Sequence, residues 1–262
     1  MLPLDLKGKT ALIAGSTQGI GLASAQALAS LGANCLLLAR NDDALKTAVS
    51  TLARKGSQFH GYLVADFQNT TQVQQAATDY LRQNPIHILV NNTGGPPAGP
   101  VLSARPDEFL SAFQQHLICN HLLATTVIPS MKAEGYGRII NIVSTSVKIP
   151  LKNLGVSNTI RGAVASWAKT LANEVAQFGI TVNNVLPGAT ATGRLTAIIN
   201  NKVAKAGISQ EEAEEEMVAE IPARRFGQPE EIAAMVAFLA TPAAAYVNGT
   251  SIPVDGGRTG SI

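Results

Sequence analysis

Short apolar runs alternate with longer amphipathic stretches along the whole chain of 262 residues. The apolar runs predict strands at Thr10–Ala14, Asn34–Leu38, Gln58–Val64, Ile86–Val90, Arg138–Val143, Thr181–Leu186 and Thr250–Val254. The stretches between them predict helices at Ile20–Leu31, Asp42–Ala53, Thr71–Leu81, Pro106–Glu134, Ser157–Phe178 and Pro229–Leu239. Nearly every position of a run such as Ile86–Val90 is apolar, which is typical of parallel strands covered on both faces. We therefore predict an α/β fold, a doubly wound parallel sheet of about seven strands with helices on both faces, in one domain spanning residues 1–262.

The composition of the chain narrows its possible partners. A net charge of +2 gives no basic field of the kind that nucleic acid requires. No apolar run approaches the roughly 20 residues of a membrane span, and the first residues lack the apolar core of a signal peptide. Cys35 and Cys119 have no close spacing, and the four histidines have no metal-ligand partner at useful spacing. These features favour a cytoplasmic protein that binds no metal, no nucleic acid and no membrane.

A glycine-rich loop stands between the first predicted strand and the first predicted helix. Glycine at positions 15, 19 and 21 lets the chain turn tightly and lets a phosphate group approach the backbone N–H groups. The positive amino-terminal end of the helix would then face the pyrophosphate of a dinucleotide. This context predicts a Rossmann-type nucleotide site. The expected contacts come from Gly15, Ser16, Gln18, Gly19, Ile20 and Gly21.

The end of the second predicted strand bears on the choice of cofactor. A carboxylate at this place would bind the ribose 2′-hydroxyl of NAD, whereas an arginine accommodates the 2′-phosphate of NADP. The strand ends in Leu38-Ala39-Arg40-Asn41 and carries no carboxylate. Arg40 therefore favours NADP(H).

Two segments stand apart from the alternating pattern and emerge at the edge where such sheets bind ligands. A glycine- and proline-rich loop, Thr93–Pro100, follows the fourth predicted strand, and a polar insertion, Thr196–Gly227, precedes the last predicted helix. Ligands of open α/β sheets bind at the carboxyl ends of the strands. We expect the first segment to form a substrate wall and residues 193–227 to form a substrate lid. The glutamate cluster at 211–216 is expected to be a solvated helix face.

Further motifs follow in order along the chain. They include Asp66-Phe67 after the third predicted strand, Asn91-Asn92-Thr93-Gly94 at the end of the fourth, Pro187-Gly188 with Thr192, and Asn248–Gly257 near the carboxyl end. With the glycine loop, they resemble the short-chain dehydrogenase/reductase family along nearly the whole chain, and within it 3-oxoacyl-carrier-protein reductases. The resemblance implies additional cofactor contacts from Asp66, Phe67, Asn92, Gly94, Pro187, Gly188 and Thr192.

The reaction centre departs from the pattern of that family. There, a serine polarises the carbonyl, a tyrosine thirteen residues later transfers the proton, and a lysine four residues beyond lowers the tyrosine pKa. An asparagine on the preceding long helix completes the relay. Ser144 matches the serine, but the same count gives Ser157 for the tyrosine, Arg161 for the lysine and His116 for the asparagine. Asn120, one turn later, is an alternative for the asparagine.

The substituted residues have different chemistry from those they replace. The alcohol of Ser157 is a far weaker acid than a phenol and its side chain is shorter. Arg161 cannot act as a general acid near neutral pH. Its planar guanidinium group can, however, donate hydrogen bonds to ribose hydroxyls or to a substrate carboxylate. Candidate substitute proton donors are His116, because histidines titrate near neutral pH, and Lys148 or Lys152 after Ser144.

Three functions are compatible with this pattern. We expect an NADP(H)-dependent oxidoreductase that interconverts a small-molecule carbonyl and an alcohol. The altered reaction centre leaves open a nucleotide-binding pseudoenzyme or a partner subunit. A cofactor-independent lyase resembling the halohydrin dehalogenases fits less well, because those proteins keep the tyrosine and lose the glycine loop. The long apolar helices predict a homo-oligomer, a dimer or tetramer.

Overall fold

Parallel strands form one seven-stranded sheet in the computed structural model, which describes residues 2–82 and 84–261. The strands are β1 Thr10–Ala14, β2 Asn34–Ala39, β3 His60–Val64, β4 Ile88–Asn91, β5 Gly137–Ile142, β6 Ile180–Pro187 and β7 Ser251–Val254. Their order is β3-β2-β1-β4-β5-β6-β7, and every neighbouring pair is parallel. The order reverses between β1 and β4, which is the switch point where such sheets bind ligands. The predicted fold class is confirmed.

Helices connect the strands and cover both faces of the sheet. They are α1 Gly19–Ser30, α2 Asp42–Ser50, α3 Thr70–Leu81, α4 Pro106–Phe113, α5 Cys119–Ala133, α6 Gly155–Val175, α7 Gly193–Ala206, α8 Gln210–Ala219 and α9 Pro229–Ala240. On one face, α1, α2 and α9 pack over a core that includes Ile13, Leu37 and Val90. On the other, α3, α5 and α6 cover Leu12, Leu89 and Ile139. Each such buried side chain contributes about 1.5–3 kcal/mol, so the central strands are firmly fixed.

Most predicted elements are found with small shifts at their ends. The first strand has the predicted bounds, whereas β3 begins at His60 rather than at residue 58. The amide of Gln58 donates instead to the carbonyl oxygens of Ala29 and Ala33, at 2.9 and 2.8 Å. These bonds hold the chain against the end of α1, so pairing with β2 starts two residues later.

The prediction of one uninterrupted α-helix over 106–134 is wrong at its centre. A π-helical turn, Gln114–Ile118, separates α4 from α5. Such turns are frequent at functional sites, because the extra residue in the turn redirects the side chains. Here His116 is only 2% exposed, and its ring contacts the hydroxyl of Thr93 on the loop after β4.

The polar insertion contains two helices, α7 and α8. They pack together through Leu195, Ile199 and Ala213. The Ser209 hydroxyl caps α8 by accepting from the Glu212 N–H at 3.1 Å, and the carboxylate of Glu212 accepts from the Ser209 N–H at 2.8 Å. Most of the glutamates at 211–216 are exposed on α8, so the prediction of a solvated helix face is confirmed.

Within residues 2–82 and 84–261, no helix has both the length and the apolar character needed to cross a bilayer. The same residues contain no cluster of three or more His, Cys, Asp or Glu side chains that are placed to share a metal ion.

Candidate active site

The glycine loop is held against the end of β4 by very close backbone contacts. Asn92 donates its side-chain amide to the Gly15 carbonyl oxygen at 3.0 Å. A Cβ at Gly15 would lie 2.5 Å from the Asn92 carbonyl oxygen, and one at Gly21 would lie 2.1 Å from the Gly15 carbonyl oxygen. Gly15 and Gly19 also have φ angles of +58° and +55°, which favour glycine. The structure therefore needs glycine at all three positions of the predicted fingerprint.

The amino-terminal end of α1 is free to receive an anion. Its N-cap, Gln18, makes no side-chain capping bond, and the first turn carries no acidic residue. The N–H groups of Gly19, Ile20 and Gly21 therefore meet no side-chain acceptor, as a phosphate site requires. Ser16 is fully buried, and its hydroxyl accepts from the Leu38 N–H at 3.1 Å, which fixes the glycine loop against β2.

The residues predicted to face the adenosine half lie at the ends of β2 and β3. Arg40 is exposed, and it forms no ion pair within the described part of the chain. Asp66 is half-buried, and its Oδ1 accepts from the Gln68 N–H at 3.0 Å. Phe67 packs against the core beside it. The guanidinium group of Arg40 and the second carboxylate oxygen of Asp66 remain available to a ligand.

The segment after β6 closes the same edge from the other side. Gly188 donates to the Val254 carbonyl oxygen at 3.0 Å and lies so close to β7 that a Cβ would be 2.7 Å from the Cα of Asp255. Thr192 reaches the glycine loop, where its Cγ2 would lie 3.2 Å from a Cβ at Gly19. Pro187 ends β6, and Gly94 has open space where a Cβ would project. The predicted cofactor residues therefore lie along the carboxyl ends of the strands, and Thr192 and Asn92 both approach the glycine loop.

Ser144 follows β5 at this edge. Its Oγ accepts from the Ser146 N–H at 3.1 Å, which leaves the hydroxyl proton free to point elsewhere. Ser157 lies in the first turn of α6 and is 8% exposed. Lys148 and Lys152, on the loop between them, are exposed. Asn120 is buried on α5, and its Oδ1 has no hydrogen-bond partner in the described residues.

Arg161 and His116 are the two predicted catalytic residues whose pKa values the site shifts. Arg161 is partly buried and donates from Nη1 to the Ile142 carbonyl oxygen at 2.9 Å. Burial, followed by the charge of Arg194, lowers the pKa of Arg161 to about 10, so it stays charged at neutral pH. Burial and the charges of Arg161 and Arg194 lower the pKa of His116 to about 3. The expectation that His116 titrates near neutral pH is therefore wrong, and its ring is neutral.

The tyrosines lie on other elements than those that carry Ser144, Ser157 and Arg161. Tyr62 is on β3, Tyr80 is on α3, and Tyr136 and Tyr246 precede β5 and β7 at the amino-terminal edge of the sheet. The phenol of Tyr136 donates to the Ala240 carbonyl oxygen at 2.5 Å.

Two side chains of the site were not singled out from the sequence. Thr93 contacts the ring of His116, and Arg194, in the first turn of α7, donates from Nη2 to the Pro96 carbonyl oxygen at 2.6 Å. Arg194 comes two residues after Thr192, a predicted cofactor contact, and this spacing could have identified it as a site residue from the sequence. No comparable sequence feature indicates the π-helical turn that brings His116 to Thr93.

The fold and the glycine loop define a dinucleotide-binding protein of the α/β class. The family model described as enoyl-(acyl carrier protein) reductase matches residues 14–259. A 3-oxoacyl-[acyl-carrier-protein] reductase of Haemophilus influenzae is 34% identical over 254 residues, which cover 96% of this chain and 98% of that protein. The chain belongs to the short-chain dehydrogenase/reductase family.

Solved structures agree with this assignment. The L-sorbose reductase of Gluconobacter frateurii, solved with NADPH and L-sorbose, has a TM-score of 0.92 at 30% identity and covers 99% of this chain and 100% of its own. YwfH, described as an NADPH-dependent reductase involved in bacilysin biosynthesis, has a TM-score of 0.91 at 29% identity and covers 97% of this chain and 99% of its own.

Proposed function

We propose that this chain is an NADP(H)-dependent oxidoreductase that interconverts a carbonyl compound and an alcohol through an altered proton relay. The proposal rests on one observation. The glycine loop, the free amino-terminal end of α1 and Ser144 all lie at one edge of the sheet. The NADPH-bound relatives of the same fold support the choice of cofactor. Family membership supports the class of reaction.

The residues present fit this cofactor. The N–H groups at Gly19, Ile20 and Gly21 would hold the pyrophosphate, because no side chain of α1 competes for them. The free guanidinium of Arg40 would hold the 2′-phosphate. Asp66 and Phe67 would bind the adenine. Asn92, Gly94, Pro187, Gly188 and Thr192 would border the nicotinamide end.

Ser144 is the group that polarises the carbonyl. Because its Oγ already accepts from the Ser146 N–H, its own proton is free for the substrate oxygen. When bound, NADPH supplies the hydride that adds to the carbonyl carbon. The same oxygen takes up one proton, so that one carbonyl, one hydride and one proton give one alcohol. Stabilisation of the developing oxyanion by one such donor is worth about 10²–10³ in rate.

The proton relay cannot follow the usual tyrosine and lysine route. Ser157 and Arg161 occupy the positions that the family resemblance assigns to those residues, and neither is an acid near neutral pH. His116 is neutral, so it acts as a hydrogen-bonding member of the relay, with Thr93 on its Nδ1. Arg161 keeps a fixed positive charge that stabilises an oxyanion formed next to Ser144.

The second candidate is a nucleotide-binding pseudoenzyme or partner subunit. The absence of a phenol near Ser144 favours it, because proton transfer by a positioned group contributes about 10²–10⁴ in rate. The residues that bind nucleotide would be the same in both cases. Turnover by the purified chain alone separates the two functions.

The test is a titration of the chain with NADPH and with NADH, followed by fluorescence, and then a screen of carbonyl compounds. We expect tighter binding of NADPH, and turnover that falls about 10²-fold in Ser144→Ala. Ser166→Ala, on the exposed face of α6, is the matched control and should keep full activity. No binding of either nucleotide would refute the proposal, and binding without turnover of any carbonyl compound would favour the pseudoenzyme.

Three predictions from the sequence belong with this proposal. Residues 193–227 would act as the substrate lid, since α7 begins beside the predicted nicotinamide contacts. A homodimer or homotetramer remains our prediction, and Leu110 and Phe113 of α4 are exposed apolar side chains that favour it. A cytoplasmic location is likewise retained as a prediction.

A further inference from the structure

Two guanidinium groups face the reaction centre without a carboxylate partner. Arg161, on α6, makes one hydrogen bond, to the Ile142 carbonyl oxygen at 2.9 Å. Arg194, on α7, makes one, to the Pro96 carbonyl oxygen at 2.6 Å. Over residues 2–82 and 84–261, neither side chain takes part in an ion pair with an Asp or Glu side chain. Both acceptors are neutral backbone groups.

Both cations lie at the edge of the sheet that carries Ser144. Arg194 donates to Pro96 on the loop after β4, the same loop whose Thr93 contacts His116, and the charges of both arginines lower the pKa of His116. The Ile142 carbonyl that holds Arg161 ends β5 two residues before Ser144, so this guanidinium lies at the same end of the strand as Ser144. Arg194 lies over Gly95, where a Cβ would be 3.3 Å from its Nη2. The loop after β4 therefore approaches Arg194 closely.

The position of Arg161 is costly without a ligand. Withdrawing a cation from water destabilises the fold unless it is paired, and Arg161 is partly buried, whereas Arg194 is exposed. Each guanidinium uses one of its five N–H donors on a protein oxygen, and the remaining donors of the two planar groups fit the two oxygens of a carboxylate. Because the Arg161 guanidinium and Ser144 both lie at the carboxyl end of β5, such a carboxylate would lie at the same end of this strand as the reacting carbonyl.

We propose that the substrate is an oxo acid, reduced to its hydroxy acid, whose carboxylate is bound by Arg161 and Arg194 while its carbonyl is bound by Ser144. The position of Arg161 and Ser144 at one end of β5 favours 2-oxo and 3-oxo acids over longer ones. This inference rests on the proposed reductase function and adds the substrate class. Neutral ketones lack the group that these two arginines bind.

The kinetic test compares small 2-oxo and 3-oxo acids with their methyl esters, using NADPH oxidation as the readout. We expect kcat/KM for the acid to exceed that for its ester by about 10- to 100-fold, the range of a charge-assisted hydrogen-bond pair. Arg194→Met should remove most of this preference by raising KM for the acid far more than KM for its ester. Arg161→Lys keeps the positive charge but loses the planar guanidinium group, so it should reduce the preference for the acid over its ester in part.

Arg54→Met is the matched control, because Arg54 is an exposed arginine between α2 and β3, away from this edge of the sheet. It removes the same net charge and should leave the preference for acids unchanged. Equal rates with acids and esters in the unaltered chain would overturn the assignment of substrate class. The proposed reductase function would survive that result, since esters would still be reduced.

A binding measurement decides the question without turnover. Malonate is titrated into the chain saturated with NADPH and followed by the change in NADPH fluorescence, with inorganic phosphate in a parallel titration. Binding of malonate that is lost in Arg194→Met supports the inference. No malonate binding, or tighter binding of phosphate, overturns it. Failure of NADPH itself to bind overturns the reductase function instead.

Discussion

Gly21 offers a direct test of how the glycine loop is built. It lies in the first turn of α1, directly against the backbone of the loop. A Cβ there would lie 2.1 Å from the Gly15 carbonyl oxygen, whereas ordinary contact begins near 3.4 Å, so this oxygen would have to move by about 1.3 Å in Gly21→Ala. The same oxygen accepts from Asn92 at 3.0 Å. The substitution therefore disturbs the contact that joins the loop to β4.

Two opposing effects set the change in stability. Overpacking of this kind costs about 1–3 kcal/mol, while alanine is better than glycine inside a helix by about 1 kcal/mol. We expect the free energy of unfolding to fall by about 0–2 kcal/mol in total. Cofactor binding should suffer more, because the displaced carbonyl belongs to the loop that faces the pyrophosphate. We expect the Kd for NADPH to rise at least about tenfold, which corresponds to about 1.4 kcal/mol.

Gly162→Ala is the matched control for this substitution. Gly162 lies inside α6, is exposed, and has no atom within 4 Å of the position that a Cβ would occupy. The substitution should raise the free energy of unfolding by about 0.5–1 kcal/mol and leave NADPH binding unchanged. Urea unfolding and NADPH fluorescence titration measure both quantities. A Gly21→Ala chain that binds NADPH as tightly as the unaltered chain, or gains as much stability as the control, would refute the steric argument.

Three further predictions concern the cofactor and the buried polar groups. Arg40→Ser should raise the Kd for NADPH about tenfold while leaving that for NADH unchanged, and equal changes in both would contradict the assignment of Arg40 to the 2′-phosphate. Asn92→Ala should lower the free energy of unfolding by about 1–3 kcal/mol, because the Gly15 carbonyl oxygen loses its side-chain donor; unchanged urea unfolding would contradict this. The buried ring of His116 has a pKa of about 3, so below about pH 6.5 the unfolded chain binds a proton that the folded chain excludes. Stability should therefore fall as the pH falls from about 6.5 towards 3, by up to about 1.4 kcal/mol per pH unit, and urea unfolding of His116→Asn should show a shallower dependence than the unaltered chain.

The sheet and the nucleotide edge were predictable because local chemistry determines them. A strand such as Ile88–Asn91, which is buried on both faces, has to be apolar at nearly every position. A loop in which two backbones approach within the radius of a methyl group has to contain glycine, as at Gly15 and Gly21. These constraints act on residues that are close in sequence. Their pattern is therefore visible without a structure.

The electrostatic state of the reaction centre was not predictable in the same way. His116, Arg161 and Arg194 belong to three separate elements, and the sequence does not show that the fold brings them to the same edge of the sheet. The pKa of His116 depends on burial and on both guanidinium groups, so the usual value for histidine gave the wrong expectation. The π-helical turn at Gln114–Ile118 also depends on tertiary contacts, including the one between His116 and Thr93.

The unpaired arginines also bear on the choice between a reductase and a nucleotide-binding scaffold. A scaffold needs the glycine loop, whose N–H groups receive the pyrophosphate, but it does not need a partly buried cation such as Arg161, which lowers the stability of the fold while it is unpaired. NADPH alone supplies ribose hydroxyls but no carboxylate to Arg161. Under our proposal, an oxo-acid substrate supplies the carboxylate and stabilises the folded chain by mass action, by about 2.7 kcal/mol at one hundred times its Kd. The proposed substrate therefore offsets the cost of the Arg161 charge more fully than a nucleotide bound to a scaffold.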